Sequence, residues 1–246
     1  YPCRANCDAF WRNFQSASDT DPCLSAAAKN AYKVRDLAEK TKAHDYSQFR
    51  GGAPALMPLP LILASTSRYR RELLERLGLP FTVEKPEVNE AQQPGESPLA
   101  NCRRLALEKA AAVAARHPNA VVIGSDQVLD LDGEALSKPG NFDAALSQLR
   151  RCQGRTLVCC TAVCVIAPHH QPLLDVIPTA ISYRKLPDRA LISYLDQEKP
   201  FDAAGAVKVE TAGITLLSAV RSDDPTAIIG LPLIRLTDFL YTVGAL

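Results

Sequence analysis

From Leu59 onward, segments with the two-residue period of β-strands alternate with segments that have the period of α-helices. Most strands are followed by a helix, but turn residues at Asp132-Gly133 and over Pro168–Pro172 join strands directly. Direct joins predict antiparallel pairs, whereas strand–helix–strand units predict parallel ones. The pattern therefore predicts an α/β domain built on a mixed sheet flanked by helices, rather than a purely parallel sheet.

The boundaries of the predicted elements follow from the same periods and from turn residues. Strands are predicted at 59–64, 80–84, 121–125, 156–167, 174–184 and 214–220, with a hairpin over 128–136. Helices are predicted at 67–77, 98–116, 142–151, 187–197 and 232–243, and a glycine-containing loop at 203–213. We expect the strands at 156–167 and 174–184 to form an antiparallel pair.

The first part of the chain differs from the rest. It holds the sole tryptophan, Trp11, a helix predicted over Leu24–Ala43 after Asp21-Pro22, and a linker predicted at Gly51–Pro54. We divide the chain into an N-terminal extension over 1–57, partly helical and of unknown role, and a domain over 58–246.

Composition limits the classes of partner. With 28 basic and 27 acidic residues, the net charge of +1 supplies no global basic field for a nucleic-acid polymer or a membrane surface. The longest apolar runs, such as Leu157–Ala167, are far shorter than the roughly 20 residues that span a bilayer. Five of the eight cysteines fall in predicted helices or strands, and no spacing is typical of zinc. We therefore expect free thiols and a cytoplasmic location.

The turn after the first strand is suited to anionic oxygens. Ser65-Thr66-Ser67 follows the apolar run at Leu59–Ala64 and opens a predicted helix that carries Arg70 and Arg71. Amide hydrogens at a helix start, serine hydroxyls and guanidinium groups all bind phosphate. A serine cap with arginines on a solvated face is the alternative interpretation.

Three further polar clusters lie at element ends or on a helix. Glu90 follows a short strand and could help to hold a divalent cation. Lys109, next to an Arg104–Glu108 pair on the long predicted helix, could reach a phosphate. Asp126 ends an apolar strand and is followed by Lys138, a placement suited to metal binding or to deprotonation of water. A solvated acidic turn at Glu90 and a turn-forming role for Asp126 are the simpler alternatives.

Taken together, these clusters resemble the Maf family of nucleoside triphosphate pyrophosphatases from about Leu59 to Leu240. The resemblance rests on Leu61–Ser67 with Arg70-Arg71, Arg104–Ala110, Ile123–Gln127, Lys138-Pro139, Ala204–Ala206 and Gly230–Leu233. It implies an elongated mixed sheet flanked by helices, with a cleft between two lobes, as in inosine triphosphate pyrophosphatases. It also implies hydrolysis between the α- and β-phosphates of a nucleoside triphosphate with a divalent cation, Mg²⁺ or Mn²⁺.

Carried over by position, the resemblance implies a role for each cluster. Asp126 is the expected catalytic base and, with Glu90, the expected metal ligand. The expected phosphate-binding residues are Ser65, Arg70, Arg71, Lys109 and Lys138.

Within the family, the chain is most similar to the branch that acts on 7-methyl-GTP. Ile123–Gln127 and Lys208–Glu210 carry this likeness, so Tyr69, Gln127 and Glu210 are the expected specificity residues. An aromatic face and a carboxylate would both favour the cationic ring of 7-methylguanine. The chain departs from the branch at four positions. It has Arg68 where proline is usual, Tyr69 where tryptophan is frequent, Asn89 where an aspartate often precedes the glutamate, and Thr211 where glycine is common.

Three rival functions remain at this point. The first is the same reaction on dTTP, UTP or another modified nucleotide, and the second is a nucleotide-binding regulator of cell division with little turnover. The third assigns the function to the N-terminal extension, with the predicted helix at Leu24–Ala43 binding a partner. A nucleoside triphosphate is the expected partner, and the resemblance leaves a homodimer open.

Overall fold

The computed structural model describes residues 59–246. The predicted extension over 1–57, including the helix at Leu24–Ala43 and the linker at Gly51–Pro54, lies outside this range. The domain boundary therefore stays a prediction. Within 59–246, no helix is long and apolar enough to cross a membrane.

Within residues 59–246, seven strands form one mixed sheet. They are β1 (Leu61–Ala64), β2 (Thr82–Glu84), β3 (Val121–Leu131), β4 (Glu134–Leu136), β5 (Thr156–Ile166), β6 (Leu173–Tyr183) and β7 (Leu217–Ser222). The order is β2-β1-β3-β5-β6-β7, with β4 paired to β3. β1 is parallel to β2 and β3, whereas the β3–β4, β3–β5, β5–β6 and β6–β7 pairs are antiparallel. The predicted mixed sheet and the predicted pairing of β5 with β6 are confirmed.

Five helices flank the sheet in the described range. They are α1 (Arg68–Glu75), α2 (Pro98–Ala114), α3 (Phe142–Cys152), α4 (Asp188–Glu198) and α5 (Leu233–Thr242). Ser67, Ser97 and Asn141 cap α1, α2 and α3, each accepting a backbone N–H three residues ahead. Such caps satisfy donors that the first turn leaves unpaired, which is why the helix starts could be predicted closely.

Two strand predictions need correction. The segment predicted as a strand at 121–125 and a hairpin from 128 is one strand, β3, which pairs with β5 from Val122 to Asp130. The polar residues Ser125 and Asp126 suggested a strand end, but both are buried inside the sheet. The last strand begins at Leu217 rather than 214, because Ala212–Leu216 forms a 3₁₀ turn.

The core is divided along the length of the sheet. At one end, α2 packs on one face through Cys102, Ala106 and Val113, and α1 and α5 pack on the other face. At the other end, α3 and α4 cover the far parts of β3, β5 and β6. These two packed regions form the two lobes, and β3 runs through both.

The cysteines of the described range are free and buried. They are Cys102, Cys152, Cys159, Cys160 and Cys164. Burial raises the pKa of Cys152, Cys159 and Cys164 to about 12. These thiols therefore stay protonated and pack as small apolar groups, as predicted.

Candidate active site

A cavity of about 900 Å³ lies between the two lobes, beside the middle of β3. Its lining includes nine of the ten predicted site residues: Ser65, Tyr69, Arg70, Glu90, Lys109, Asp126, Gln127, Lys138 and Glu210. Elements far apart in the chain supply them: α1 and α2, β3, the segment after β4, and the loop after α4. The tertiary structure thus gathers in one place groups that sequence analysis could name only separately.

The turn between β1 and α1 forms one wall of the cavity. Ser65 is buried, and its Oγ accepts the backbone N–H of Ser67 at 3.2 Å. Arg70 donates through Nη1 to Ser65 Oγ at 3.3 Å and through Nε to the carbonyl of Gly230 at 2.9 Å. These contacts hold the guanidinium beside the N-terminus of α1. The charge of Arg70 and the positive end of the helix dipole therefore both face the cavity.

Arg71 lies outside the cavity lining. Its side chain is 63% exposed and pairs with Glu75 one turn along α1, with Nε and Oε1 3.0 Å apart. On a helix, adjacent residues point about 100° apart, and here the side chain of Arg71 turns to the exposed side of α1 while that of Arg70 faces the cavity. Its phosphate-binding role remains a prediction that this placement does not support.

Lys109 joins the two predicted acidic groups. Its Nζ lies 2.7 Å from Asp126 Oδ1 and 2.7 Å from Glu90 Oε1. The side chains of Lys109 and Asp126 are almost fully buried, at 6% and 10% exposed, whereas that of Glu90 is 62% exposed. A buried ammonium between two carboxylates compensates charge that would otherwise be costly to bury.

The basic groups around Glu90 change the pKa of its carboxyl group. Partial burial alone would raise the pKa of Glu90, but the hydrogen bond and charge of Lys109, with the charges of Lys138 and Arg70, outweigh burial and lower it. Lys138 is exposed and forms no ion pair within the described part of the chain. It can therefore meet an incoming anion without first breaking a contact.

The packing of β3 against α2 sets the distance between Lys109 and Asp126. A Cβ atom on Gly124 would lie 2.3 Å from the carbonyl oxygen of Ala106 and 2.8 Å from the Cβ of Ala110. Only glycine permits this approach of strand and helix, which brings the residue after Ser125 to the face of α2 that carries Lys109.

Tyr69 and Glu210 lie at another part of the cavity lining. The guanidinium carbon of Arg68 lies 4.7 Å from the centre of the Tyr69 ring, and Arg68 Nη2 donates to Tyr69 Oη at 3.0 Å. Glu210 is exposed and does not pair with the nearby Lys208, whose Nζ lies 3.3 Å from Asp202 Oδ1 instead.

Gln127 is held by its side-chain amide. Its Nε2 donates to Thr161 Oγ1 at 3.1 Å and to the carbonyls of Ala227 and Ile228 at 3.0 Å each. Because carbonyl oxygens only accept, the NH₂ group must face them, and this orients Oε1 toward Gly230 on the cavity wall. Gln127 therefore presents an acceptor to the cavity in one fixed orientation.

Comparison with known proteins identifies the family of this chain. The Maf-like protein family matches residues 60–243, which is most of the chain. The chain belongs to the Maf family. The family match covers both lobes and every residue of the cavity lining, including the glycine turn that Arg70 contacts.

Maf relatives with a specific name are similar over nearly their whole length. The 7-methyl-GTP pyrophosphatase of Bordetella pertussis is 53% identical over 78% of this chain and 95% of its own. The protein of the same name from Aromatoleum aromaticum is 50% identical over 76% and 96%. A solved nucleoside-triphosphatase / dITP/XTP pyrophosphatase from Mycobacterium abscessus shares 18% identity over 52% of this chain and 76% of its own, with a TM-score of 0.34. That likeness is too distant to bear on fold or function.

Gly230 is the principal site residue of this Maf protein that sequence analysis did not select. Its carbonyl accepts both Arg70 Nε and Ser125 Oγ, each at 2.9 Å. The partners lie 160 and 105 positions away in the sequence, so no local pattern could pair them. The Gly230–Leu233 motif was the one sequence signal for this segment, but a motif does not show which side chains a carbonyl group contacts.

The carboxylates of this Maf site suit a hard divalent cation. Mg²⁺ commonly binds one or two carboxylates together with substrate phosphates, and Glu90 and Asp126 meet on one cationic group in the cavity. Within residues 59–246, no group of three or more His, Cys, Asp or Glu side chains gathers as a metal cluster. Two carboxylates on the cavity lining are the kind of donor set that Mg²⁺ takes when substrate phosphates complete its coordination.

Proposed function

We propose that this chain is a metal-dependent 7-methyl-GTP pyrophosphatase. Water would attack between the α- and β-phosphates, and the products would be 7-methyl-GMP and pyrophosphate. The observation that carries this proposal is the buried Lys109–Asp126 pair facing the Ser65 and Arg70 turn across one cavity, in a Maf chain whose relatives bear that name.

Asp126 is the best-placed group to take the proton from water. Its carboxylate is held by Lys109, so it stays aligned, and it lines the cavity that Ser65 and Arg70 also line. Asp126 and Glu90 would hold Mg²⁺ or Mn²⁺, which would supply positive charge to the phosphates and acidify a bound water. Arg70, Lys138 and the N-terminus of α1 would bind the phosphate oxygens.

Base recognition would fall to Tyr69, Gln127 and Glu210. The 7-methylguanine ring carries a positive charge, which favours the face of Tyr69 and the unpaired carboxylate of Glu210. The fixed Oε1 of Gln127 would accept a ring N–H. We also propose a cytoplasmic location and a homodimer.

The first experiment measures pyrophosphate release from 7-methyl-GTP, GTP, dTTP, UTP and CTP with Mg²⁺ or Mn²⁺. We expect 7-methyl-GTP to be preferred and Asp126→Asn to lower its turnover by about 10²-fold or more, since a general base contributes on that scale. Asp130→Asn is the matched control, because Asp130 lies on the same strand and bonds the backbone of Gly133 instead of the cavity. It should keep wild-type turnover.

The other outcomes separate the rivals. Preference for dTTP or UTP would favour the second branch of the family. Nucleotide binding without pyrophosphate release under any metal would favour the regulator. Equal losses in Asp126→Asn and Asp130→Asn would show that the effect is structural and would remove Asp126 as the base.

A further inference from the structure

Glu198 has an unexpected place in the fold. It is the last residue of α4, where the helix dipole disfavours a carboxylate and favours a cation. Its carboxylate forms no ion pair with any basic group of residues 59–246. A residue that helix electrostatics do not favour requires another explanation, and its hydrogen bonds supply one.

The Glu198 carboxylate accepts two donors from a turn on the far side of the loop. Thr211 Oγ1 donates to Oε2 at 2.8 Å, and the backbone N–H of Ala212 donates to Oε1 at 3.3 Å. In return, Lys208 Nζ donates to the backbone carbonyl of Glu198 at 3.3 Å. The end of α4 is thus bonded to both sides of the segment 208–213, which we call the 208–213 turn.

The 208–213 turn is also closed tightly on itself. A Cβ atom on Gly213 would lie 2.3 Å from the carbonyl oxygen of Lys208, so the two backbones touch. The backbone N–H of Lys208 donates to Tyr194 Oη at 3.0 Å, one further contact with α4. Burial, with the charges of Glu198 and Glu210, raises the pKa of Tyr194 to about 12, which keeps this phenol neutral.

Glu210 lies inside this turn and depends on it. Its side chain lines the cavity, yet it makes no hydrogen bond or ion pair with the described residues. Its carboxylate is therefore placed by the backbone alone. The next residue, Thr211, closes the turn through its backbone N–H and its hydroxyl, which donate to the carbonyl of Lys208 at 3.2 and 3.3 Å, and its shorter bond to Glu198, at 2.8 Å, ties the turn to α4.

We propose that Glu198 is a positioning residue for base selection, because it anchors the turn that presents Glu210 to the base. This inference rests on the proposed function for the role of Glu210, but the anchoring contact stands on its own geometry. Glu198 does not line the cavity, so its effect must pass through the turn.

The test compares variants that differ by one group. Thr211→Val removes the hydroxyl at constant shape, Thr211→Ser keeps it, and Glu198→Gln replaces one acceptor oxygen by a donor. Thr215→Val is the control, since Thr215 is an exposed hydroxyl of the adjacent 3₁₀ turn that donates to Ala212 and not to Glu198. The readouts are kcat/KM for 7-methyl-GTP and for GTP, and amide hydrogen exchange of the 208–213 turn.

We expect Thr211→Val and Glu198→Gln to lower the ratio of kcat/KM for 7-methyl-GTP over GTP by about tenfold, as for the loss of one hydrogen bond to a charged group. kcat on GTP should stay within about twofold, and the turn should exchange faster. Thr211→Ser and Thr215→Val should match the wild type. In the Glu210→Gln background the change in ratio should vanish, because neighbouring groups that act through one another are not additive.

Three results would overturn the inference. The ratio could stay unchanged in both variants, both nucleotides could lose activity equally, or the ratio could fall as much in the Glu210→Gln background. Failure of the proposed function gives a different result, because the wild-type enzyme would then show no preference for 7-methyl-GTP. Amide hydrogen exchange of the 208–213 turn would still show whether Glu198 anchors that turn. In that case the base-selecting role is rejected and the anchor alone is kept.

Discussion

At the scale of single residues, the site depends on one buried ammonium group. Lys109 contacts both Asp126 on β3 and Glu90 in the loop before α2, and so holds the two carboxylates near each other. A buried carboxylate that loses its partner keeps its desolvation cost. Removal of Lys109 should therefore lower the free energy of unfolding by more than the removal of an exposed lysine would.

We therefore expect Lys109→Met to lower the free energy of unfolding by about 3 kcal/mol, in the range for breaking a buried ion pair from one side. Urea denaturation would measure the loss. Adding Asp126→Asn should recover part of it, since the orphaned charge is then removed as well. Lys138→Met is the control: Lys138 is exposed, and its removal should change stability by less than about 0.5 kcal/mol. An unchanged urea midpoint for Lys109→Met would contradict the buried pair.

At the scale of elements, the contact of β3 with α2 sets the position of Lys109 relative to Asp126. Gly124 faces the backbone of α2 directly, at the carbonyl of Ala106 and the amide of Ala110. Backbone atoms cannot rotate away as a side chain can, so any added atom must shift the helix relative to the sheet.

Gly124→Ala should therefore cost about 3 kcal/mol of stability, the upper part of the range for overpacking. It should also slow pyrophosphate release, because α2 carries Lys109. Gly95→Ala separates backbone strain from crowding: Gly95 has a φ of +75°, but no atom lies within 4 Å of the position that a Cβ would take, so the change should cost about 1 kcal/mol. Equal costs for the two variants would argue against crowding at the β3–α2 contact.

At the scale of the whole molecule, ion pairs between arginines and carboxylates make stability depend on acid. Hydrogen bonds from arginine lower the pKa of Glu84, Glu96, Glu134 and Asp188 below their ordinary values. A carboxyl group with a lowered pKa in the folded state contributes stability above its unfolded pKa and loses it as the pH falls through the folded pKa. The raised pKa of Asp130, which burial causes, acts in the opposite direction.

We expect the urea midpoint to be level above about pH 5 and to fall steadily below the ordinary glutamate pKa of 4.5. The same titration in about 1 M salt should show a shallower fall, because exposed pairs are screened. A midpoint that holds from pH 5 to pH 3 would show that these pairs contribute no net stability.

The local sequence was sufficient for much of the fold. The caps Ser67, Ser97 and Asn141 act within three residues of themselves, and strand and helix periods reflect which side of each element is apolar. Helix positions and the mixed sheet could therefore be predicted. The pattern was misleading at Ser125 and Asp126, because two buried polar groups inside a strand have the same sequence signature as a strand end.

The helices, the mixed sheet and the polar residues of the Maf motifs can all be predicted from the amino-acid sequence. Three further features appear only in the folded chain: Lys109 joins Asp126 to Glu90, Arg71 lies outside the cavity, and Glu198 anchors the turn of Glu210. The difference lies in how far apart in the chain the interacting residues are. Caps and periods are local, whereas these contacts depend on strand pairing and on a close approach of backbones that elements distant in the chain create together.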